Sequence, residues 1–376
     1  MTDMLVAQRR ERLISELEAS GGLKVTSLAA RLGVSRATVR RDLVDLETEG
    51  LVTRVRGGAM VATPRTEGQQ AQPRQAVEPS GALSQAAPPE DGCVLGLLVP
   101  SATYYYPRVV AGVQAVAAAR GARVVISLSH YAQDNEAERL EELGASGASG
   151  LLVASPGGHT LPPETYDQLR ATGLPFVLME RQPDDPFAPC EFVATDHQQG
   201  AFAAVRHFVE LGHESVALFT NGSPTAALLR EGYEAAVRRL DLAPGGPVLD
   251  SGRPTLGSTE AARYYDRFIE ECLAEHTKAA LVHSDHDAIE LMRRLRLRGL
   301  RTPEDLALIA YDDEIASLAD VPLTAMAPPK HELGEQAARM LLDRLGAPDP
   351  QAVPVRQLLL QPCLNIRSSC GTVPRD

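Results

Sequence analysis

Eight short apolar runs punctuate the chain from Val94 onward: VLGLLVP, RVVISLS, GLLVASP, PFVLME, EFVATD, SVALFT, ALVHSD and LALIAYDD. Each is continuous rather than alternating. A strand of that kind needs cover on both faces, which calls for parallel sheet with helices on either side. The stretches between them, such as VVAGVQAVAAARG and AAVRHFVELG, have the spacing of covering helices. Eight runs are more than one mononucleotide-binding half requires, so two α/β lobes are expected.

Polar residues end these runs. Ser101, Ser155, Glu180, Asp196, Asn221, Asp285 and Asp312 stand at or just past the predicted strand ends. That edge is where open parallel sheets bind ligands. Carboxylates, hydroxyls and an amide converging there suit a polyhydroxylated ligand, since each acceptor can take a hydroxyl. Tyr104, Tyr105 and Tyr106 follow the first run. They either offer an aromatic face to the C–H side of a sugar or cap the core.

The beginning of the chain is different in charge. The 376 residues carry a formal net charge of -12, yet residues 1–60 hold ten Lys/Arg against eight Asp/Glu. That module is net +2, which leaves −14 for the remainder. A small basic module on an acidic body is the asymmetry expected of a nucleic-acid contact confined to one part of the chain. Helical spacing runs from Leu5 to Leu17 and ends at Gly21 and Gly22; VTSLAARLG forms a second short helix closed by Gly33. Ser35 can cap a third, whose buried stripe is Val39, Leu43 and Leu46. On that helix Arg41 falls opposite the stripe with Ala37 and Thr38 beside it, and Arg36 and Arg40 lie on the flank. Two helices joined by a tight turn, the second with a polar N-terminal end, fit a major groove. LVTRVRGGAMV then alternates around a Gly-Gly pair, a hairpin with Arg54 and Arg56 on one face. A solvated helix with local Arg–Asp pairs is the plainer alternative, but it leaves the hairpin arginines without a role.

Residues 62–92 contain no aromatic residue and are rich in Pro, Gln, Ala and Ser. Such a composition reads as a flexible spacer, with a root-mean-square span of ~30 Å.

The run VTSLAARLGVSRATVRRDLVDLETEGLVTRVRGGA resembles the DeoR-type winged helix-turn-helix, with its Ser-x-x-Thr-[Val/Ile]-Arg-Arg-Asp-Leu helix and Gly-Gly-Ala wing. The resemblance implies that Ser35, Thr38, Arg40 and Arg41 face DNA, with Arg36 on the flank and Arg54 and Arg56 on phosphates. From about Val94 to Ser369 the chain resembles the LacI/GalR effector domain, itself similar to periplasmic sugar-binding proteins. The carriers are LGLLVPS, GLPFVLMER, VATDHQQGAFAAVRHFVELGH, LLREGYEAAV, the stretch from LVHSDHD to VPLTAM, and LQPCLNIRSS. By that resemblance Asp196, Arg230, Asp285 and Asp312 match residues lining the family's cleft. Tyr105, Tyr106 and Ser155 complete the expected ligand set. Arg230 in LLREGY could give two parallel N–H bonds to a hydroxyl pair or a carboxylate. Two departures stand out: Ser284 occupies the position of the family's usual Asn, and TyrTyrTyrPro replaces an Asn-Pro-Phe-Phe segment.

The expected fold class is therefore α/β: an N-terminal winged helix-turn-helix plus a two-lobed periplasmic-binding-protein-like (type I) effector domain with parallel sheets. The expected domains are 1–61 for DNA, 62–92 as linker and 93–376 for the ligand. The expected function is a transcriptional regulator, a repressor in the leading reading, controlled by a sugar or related small molecule. Its expected partners are double-stranded operator DNA, the effector and a second copy of the chain.

The alternative is a sugar or sugar-phosphate enzyme, since DeoR-type modules usually accompany an isomerase-like body. No nucleophile elbow, phosphate loop or Ser-His-Asp arrangement supports it. A transport-associated binding protein is a third class, opposed by the DNA module. No cofactor is expected. HSDHD at 283–287 invites a metal through His283, Asp285 and His286, but one extended strand end scatters these side chains. His197 and His213 read as structural or loop histidines. Five widely spaced cysteines without a C-x-x-C pair fit reduced thiols and a cytoplasmic location. The N-terminal arginines lack an apolar run behind them, and no stretch has the roughly 20 apolar residues of a membrane span.

Overall fold

All eight apolar runs are strands in the computed structural model of the chain. The structure describes residues 23–24, 39, 43, 52–55, 58–61, 92–131, 136–242 and 246–371. The chain divides into two units, 1–82 and 83–376.

In the first unit, β1 (Leu23–Lys24), β2 (Val52–Val55) and β3 (Gly58–Val61) form an antiparallel sheet in the order β1-β3-β2. β2 and β3 pair as the expected hairpin, with Val55 opposite Gly58 and Arg54 opposite Ala59. Val39 and Leu43, two members of the predicted stripe, are helical and buried. Ser35, Arg36, Thr38, Arg40, Arg41 and Arg56 lie outside the described residues, as does nearly all of the spacer.

The second unit begins with β4 (Val94–Val99), α1 (Tyr106–Ala119), β5 (Arg123–Leu128), α2 (Glu136–Ala145) and β6 (Gly150–Val153). It continues with β7 (Thr160–Leu161), α3 (Pro163–Ala171), β8 (Phe176–Met179), β9 (Gln182–Pro183) and β10 (Glu191–Thr195). Next come α4 (His197–Glu210), β11 (Ala217–Thr220), α5 (Ala226–Arg239), β12 (Val248–Asp250), α6 (Thr259–Ala274) and β13 (Ala279–Val282). The last elements are α7 (Asp285–Leu297), β14 (Ala307–Tyr311), β15 (Thr324–Ala327), α8 (Lys330–Leu345), β16 (Gln357–Leu360) and β17 (Cys363–Asn365).

Two six-stranded sheets result, ordered β16-β10-β8-β6-β4-β5 and β12-β11-β13-β14-β15-β17. Every pairing in the first is parallel, and only β17 runs antiparallel in the second. The continuous apolarity now has its reason. Leu95, Leu97 and Val99 pack against α1 and α8, while Leu98 faces α2 and α3 on the opposite side. Phe219 faces α6 and α7, and Leu218 faces α4 and α5. Alternate residues of one strand therefore serve two cores, which no alternating sequence could do.

The chain passes between lobes three times. It leaves the first after β10 for α4, returns from β15 to α8, and crosses again from β16 to β17. In the first lobe α1 and α8 meet through reciprocal glycines. A Cβ on Gly112 would lie 2.0 Å from the His331 carbonyl oxygen, and one on Gly334 would lie 2.0 Å from that of Val109. Helix propensity alone favours Ala over Gly by about 1 kcal/mol, but here backbone blocks the added methyl. Gly334→Ala is expected to lower the thermal midpoint, at a cost of about 1–3 kcal/mol. An unchanged or raised midpoint in a melting experiment would show that α1 and α8 are not in backbone contact.

Candidate functional site

The C-terminal ends of both sheets open onto one cleft of about 490 Å³. The first lobe contributes Tyr104, Tyr105, Tyr106, Tyr131, Glu180 and Arg181. The second supplies His197, Asn221, Arg253, His283 and Asp312 among others.

Its floor is a buried polar network. Glu180 directly follows β8, and its carboxylate accepts from the Tyr105 hydroxyl at 2.5 Å, the Thr195 hydroxyl at 2.7 Å and the Thr195 N–H at 3.0 Å. His197 Nε2, at the first turn of α4, stands 3.3 Å away, while its Nδ1 is 2.8 Å from the Tyr311 hydroxyl. Burial pushes the Glu180 carboxyl up, but His197, Tyr105 and the Thr195 N–H outweigh it and bring the carboxyl down to about 2. Asp312 follows the same pattern. Burial opposes its charge, whereas His283 at 3.5 Å, Lys330 and His197 hold its carboxyl below the ordinary range. Burial and neighbouring carboxylates push the Tyr104, Tyr105 and Tyr311 phenols up, so these hydroxyls stay protonated donors.

Three of these residues hold left-handed backbone, with φ of 62° at Tyr104, 56° at Glu180 and 95° at Asp312. Non-glycine residues adopt that region at a cost, and such residues cluster at functional sites. The conformation at Tyr104 accompanies a bridge across the cleft. Its hydroxyl lies 2.5 Å from Asp285 Oδ1 and 3.2 Å from Asp312 Oδ2, both in the second lobe. Arg108 and Lys330 add contacts to Glu314 at 3.3 and 2.7 Å.

The residues expected from sequence fall into two groups. Tyr105, Tyr106 and Asp312 line the cleft. Asp285 is fully buried behind Tyr104, where its Oδ2 accepts backbone N–H groups of Glu314, Ile315 and Ala316. Ser155 is buried too; it donates to Glu136, and its carbonyl accepts Arg181 Nε at 2.8 Å. Asp196 caps α4 by accepting the Gln199 N–H at 2.9 Å and does not line the cleft. Arg230 is exposed on α5 and is not among the cleft-lining residues, while its neighbour Leu229 packs into the core.

Sequence reasoning left out Arg181, Tyr131 and Arg253, and it read His197 as structural although it lines the cleft floor. Glu180-Arg181 at the end of PFVLME was a usable signal. Arg253 follows the three-residue β12, which no apolar run marks. The HSDHD side chains are otherwise engaged, and no metal-holding group of His, Cys, Asp or Glu exists among the described residues. None of the five cysteines forms a disulfide, and no helix among the described residues is long and apolar enough to cross a membrane.

Residues 9–65 match the model of the DeoR-like helix-turn-helix domain, and residues 205–370 match that of the periplasmic binding protein-like domain. The chain thus joins a DeoR-like helix-turn-helix domain to a periplasmic binding protein-like domain, which is the make-up of a DNA-binding transcriptional regulator controlled by a small molecule. It is similar to the arabinose metabolism transcriptional repressor of Geobacillus stearothermophilus, 26% identical over 85% of this chain and 83% of that one. The ribose operon repressor of Escherichia coli K12 is 29% identical over 73% of this chain and 81% of its own length. Among solved structures, the lac repressor dimer bound to operator and the anti-inducer ONPF superposes with a TM-score of 0.61, at 24% identity, covering 75% of this chain and 95% of that chain. These relatives are regulators, not enzymes.

The Glu180 carboxyl has a testable sign. A folded value near 2 against an ordinary 4.5 means that the charged form stabilises the fold above about pH 4.5. That stabilisation disappears as pH falls from 4.5 towards 2. Thermal midpoints measured across that window should fall for the parent chain and fall less for Glu180→Gln. Parallel curves would rule out the buried Glu180–His197 pair.

Proposed function

We propose that this chain is a cytoplasmic repressor that binds a two-fold symmetric operator as a homodimer and takes a sugar or a related polyhydroxylated molecule into the inter-lobe cleft. The observation that carries the reading is the cleft itself, with its aromatic walls and buried polar floor, in a chain that also has a DeoR-like helix-turn-helix. The arabinose and ribose repressors among its relatives support the effector class, and the lac repressor dimer on its operator supports the assembly. In this reading residues 1–61 contact DNA, 62–92 act as a spacer, and 93–376 bind the effector.

Two copies pair their DNA modules, so the operator mirrors the protein's symmetry. Ser35, Arg36, Thr38, Arg40 and Arg41 meet the major groove, and Arg54 and Arg56 hold phosphates. Tyr105, Tyr106 and Asp312 contact the ligand, while Asp285 and Ser155 act from behind Tyr104 and Arg181. Ligand controls DNA binding to the extent that it prefers one arrangement of the lobes over another.

Footprinting on the DNA upstream of the chain's own gene, with and without sugars, tests this function. Arg41→Ala is expected to erase the footprint while leaving ligand-induced thermal shifts intact, and affinity should fall linearly in logarithm with salt. A footprint retained by Arg41→Ala, or a flat salt profile, would contradict the assigned DNA face.

A further inference from the structure

The carboxylates around the cleft are already engaged by the chain. Asp285 takes Tyr104 and three backbone N–H groups, and Glu180 takes Tyr105, Thr195 and His197. Asp287 accepts from the Ser284 N–H and hydroxyl and from Asn221 on one oxygen, and from Tyr265 on the other. Asp312 faces Tyr104 and His283. The acceptors that a neutral polyol would seek are therefore largely occupied.

Donors remain. Arg253, itself exposed, lines the cleft with its guanidinium 5.6 Å over the Tyr131 ring. Arg181 is buried at 4% exposure; it donates to the carbonyl oxygens of Ser155 at 2.8 Å and Glu180 at 2.7 Å, and it also meets the Tyr106 hydroxyl and lies within electrostatic reach of the Glu136 carboxylate. Both guanidiniums line the same cleft as Tyr131 and, with the Asp312 carboxylate, lie within electrostatic reach of its phenol. His283 is 4% exposed, lines the cleft, and its Nδ1 has no partner among the described residues.

Helix geometry adds to this. A Cβ on Gly222 would lie 2.8 Å from the Gly252 backbone, so the loop entering α5 touches the loop that carries Arg253. Ser223, Pro224 and Thr225 line the cleft at the start of this 14-residue helix, whose first turn has no acidic residue. The first turn of α7, by contrast, carries Asp285 and Asp287. Four helices begin at the cleft: α4 is capped by Asp196 and α7 carries its two aspartates, whereas α1 and α5 have no acidic residue in the first turn, and of these α5 lies beside Arg253.

We propose that the effector is anionic: a polyhydroxylated molecule whose carboxylate or phosphate sits between Arg253, Arg181 and the first turn of α5, beside Tyr131. This rests on the reading of the cleft as the effector site. Two guanidiniums and a helix N-terminus supply the forked donors an oxyanion takes best.

The test uses the full chain. Thermal midpoints are measured in potassium phosphate against potassium chloride at matched ionic strength, for the parent, Arg253→Gln and the exposed-site control Arg263→Gln. A saturable rise in phosphate is expected, weakened about tenfold by Arg253→Gln and kept by Arg263→Gln. Phosphate acting no better than chloride, or acting equally on Arg253→Gln, would overturn the proposal. Gluconate, glucose 6-phosphate and glucose then separate the sources: tighter binding of either acid supports the proposal and names its acid group. Glucose binding as tightly as both acids would overturn the anionic preference while leaving the cleft reading standing. No response to any of these compounds would remove both.

Discussion

Three strands of chain pass between the lobes, and the space beside them is filled by charged and polar groups that would be costly to bury alone. Glu180 from the first lobe meets His197 at the start of α4, the first helix of the second lobe, and His197 in turn meets Tyr311 at the end of a second-lobe strand. Each group is supplied by an element that the parallel topology brings to the same edge. The network is satisfied only when both sheets present that edge to each other, so it couples the hydrogen bonding of each lobe to the position of its neighbour. Gly200 serves the same arrangement. A Cβ there would lie 2.7 Å from the Tyr311 hydroxyl, so the glycine of Asp196-x-x-x-Gly200 makes room for that ring.

Above this floor the lobes are joined by contacts of a different kind. Tyr104 reaches from a left-handed loop position to two carboxylates of the second lobe, and Arg108 and Lys330 converge on Glu314. The cores behind each sheet are densely apolar and have no such choice to make. Changes in lobe position are therefore confined to a few polar contacts at the cleft, which a ligand is able to replace. That is the physical basis on which a small molecule can act on this fold: it competes for contacts at the cleft and leaves the cores intact.

Seven of the eight apolar runs became mostly buried strands, legible because burial on both faces writes a continuous apolar run; the eighth, β5, is an edge strand with Val125 and Ile126 exposed. Most strands without such a run are short or lie at edges, and the interior β15, whose four residues include Thr324, is the exception. β16 alternates in exposure, β12 has three residues, and β17 is the antiparallel edge strand. Site residues followed the same logic. Asp312 and the tyrosines adjoin legible strands, whereas Arg253 sits behind β12 and left no pattern. Arg230 was expected at the cleft from the family resemblance alone, and in the structure it is exposed on α5 beside the core-facing Leu229. Asp285 was legible as a strand-end carboxylate, but its occupation by Tyr104 and three backbone N–H groups depends on loops that are distant in sequence.

The central claim is that the Tyr104 hydroxyl holds the two lobes together across the cleft. Double electron–electron resonance between spin labels at the exposed positions Phe187 and Leu297, one in each lobe, measures this directly in a Cys363→Ser background. The account predicts one narrow distance distribution for the parent and a broader, longer one for Tyr104→Phe. Superimposable distributions would contradict it.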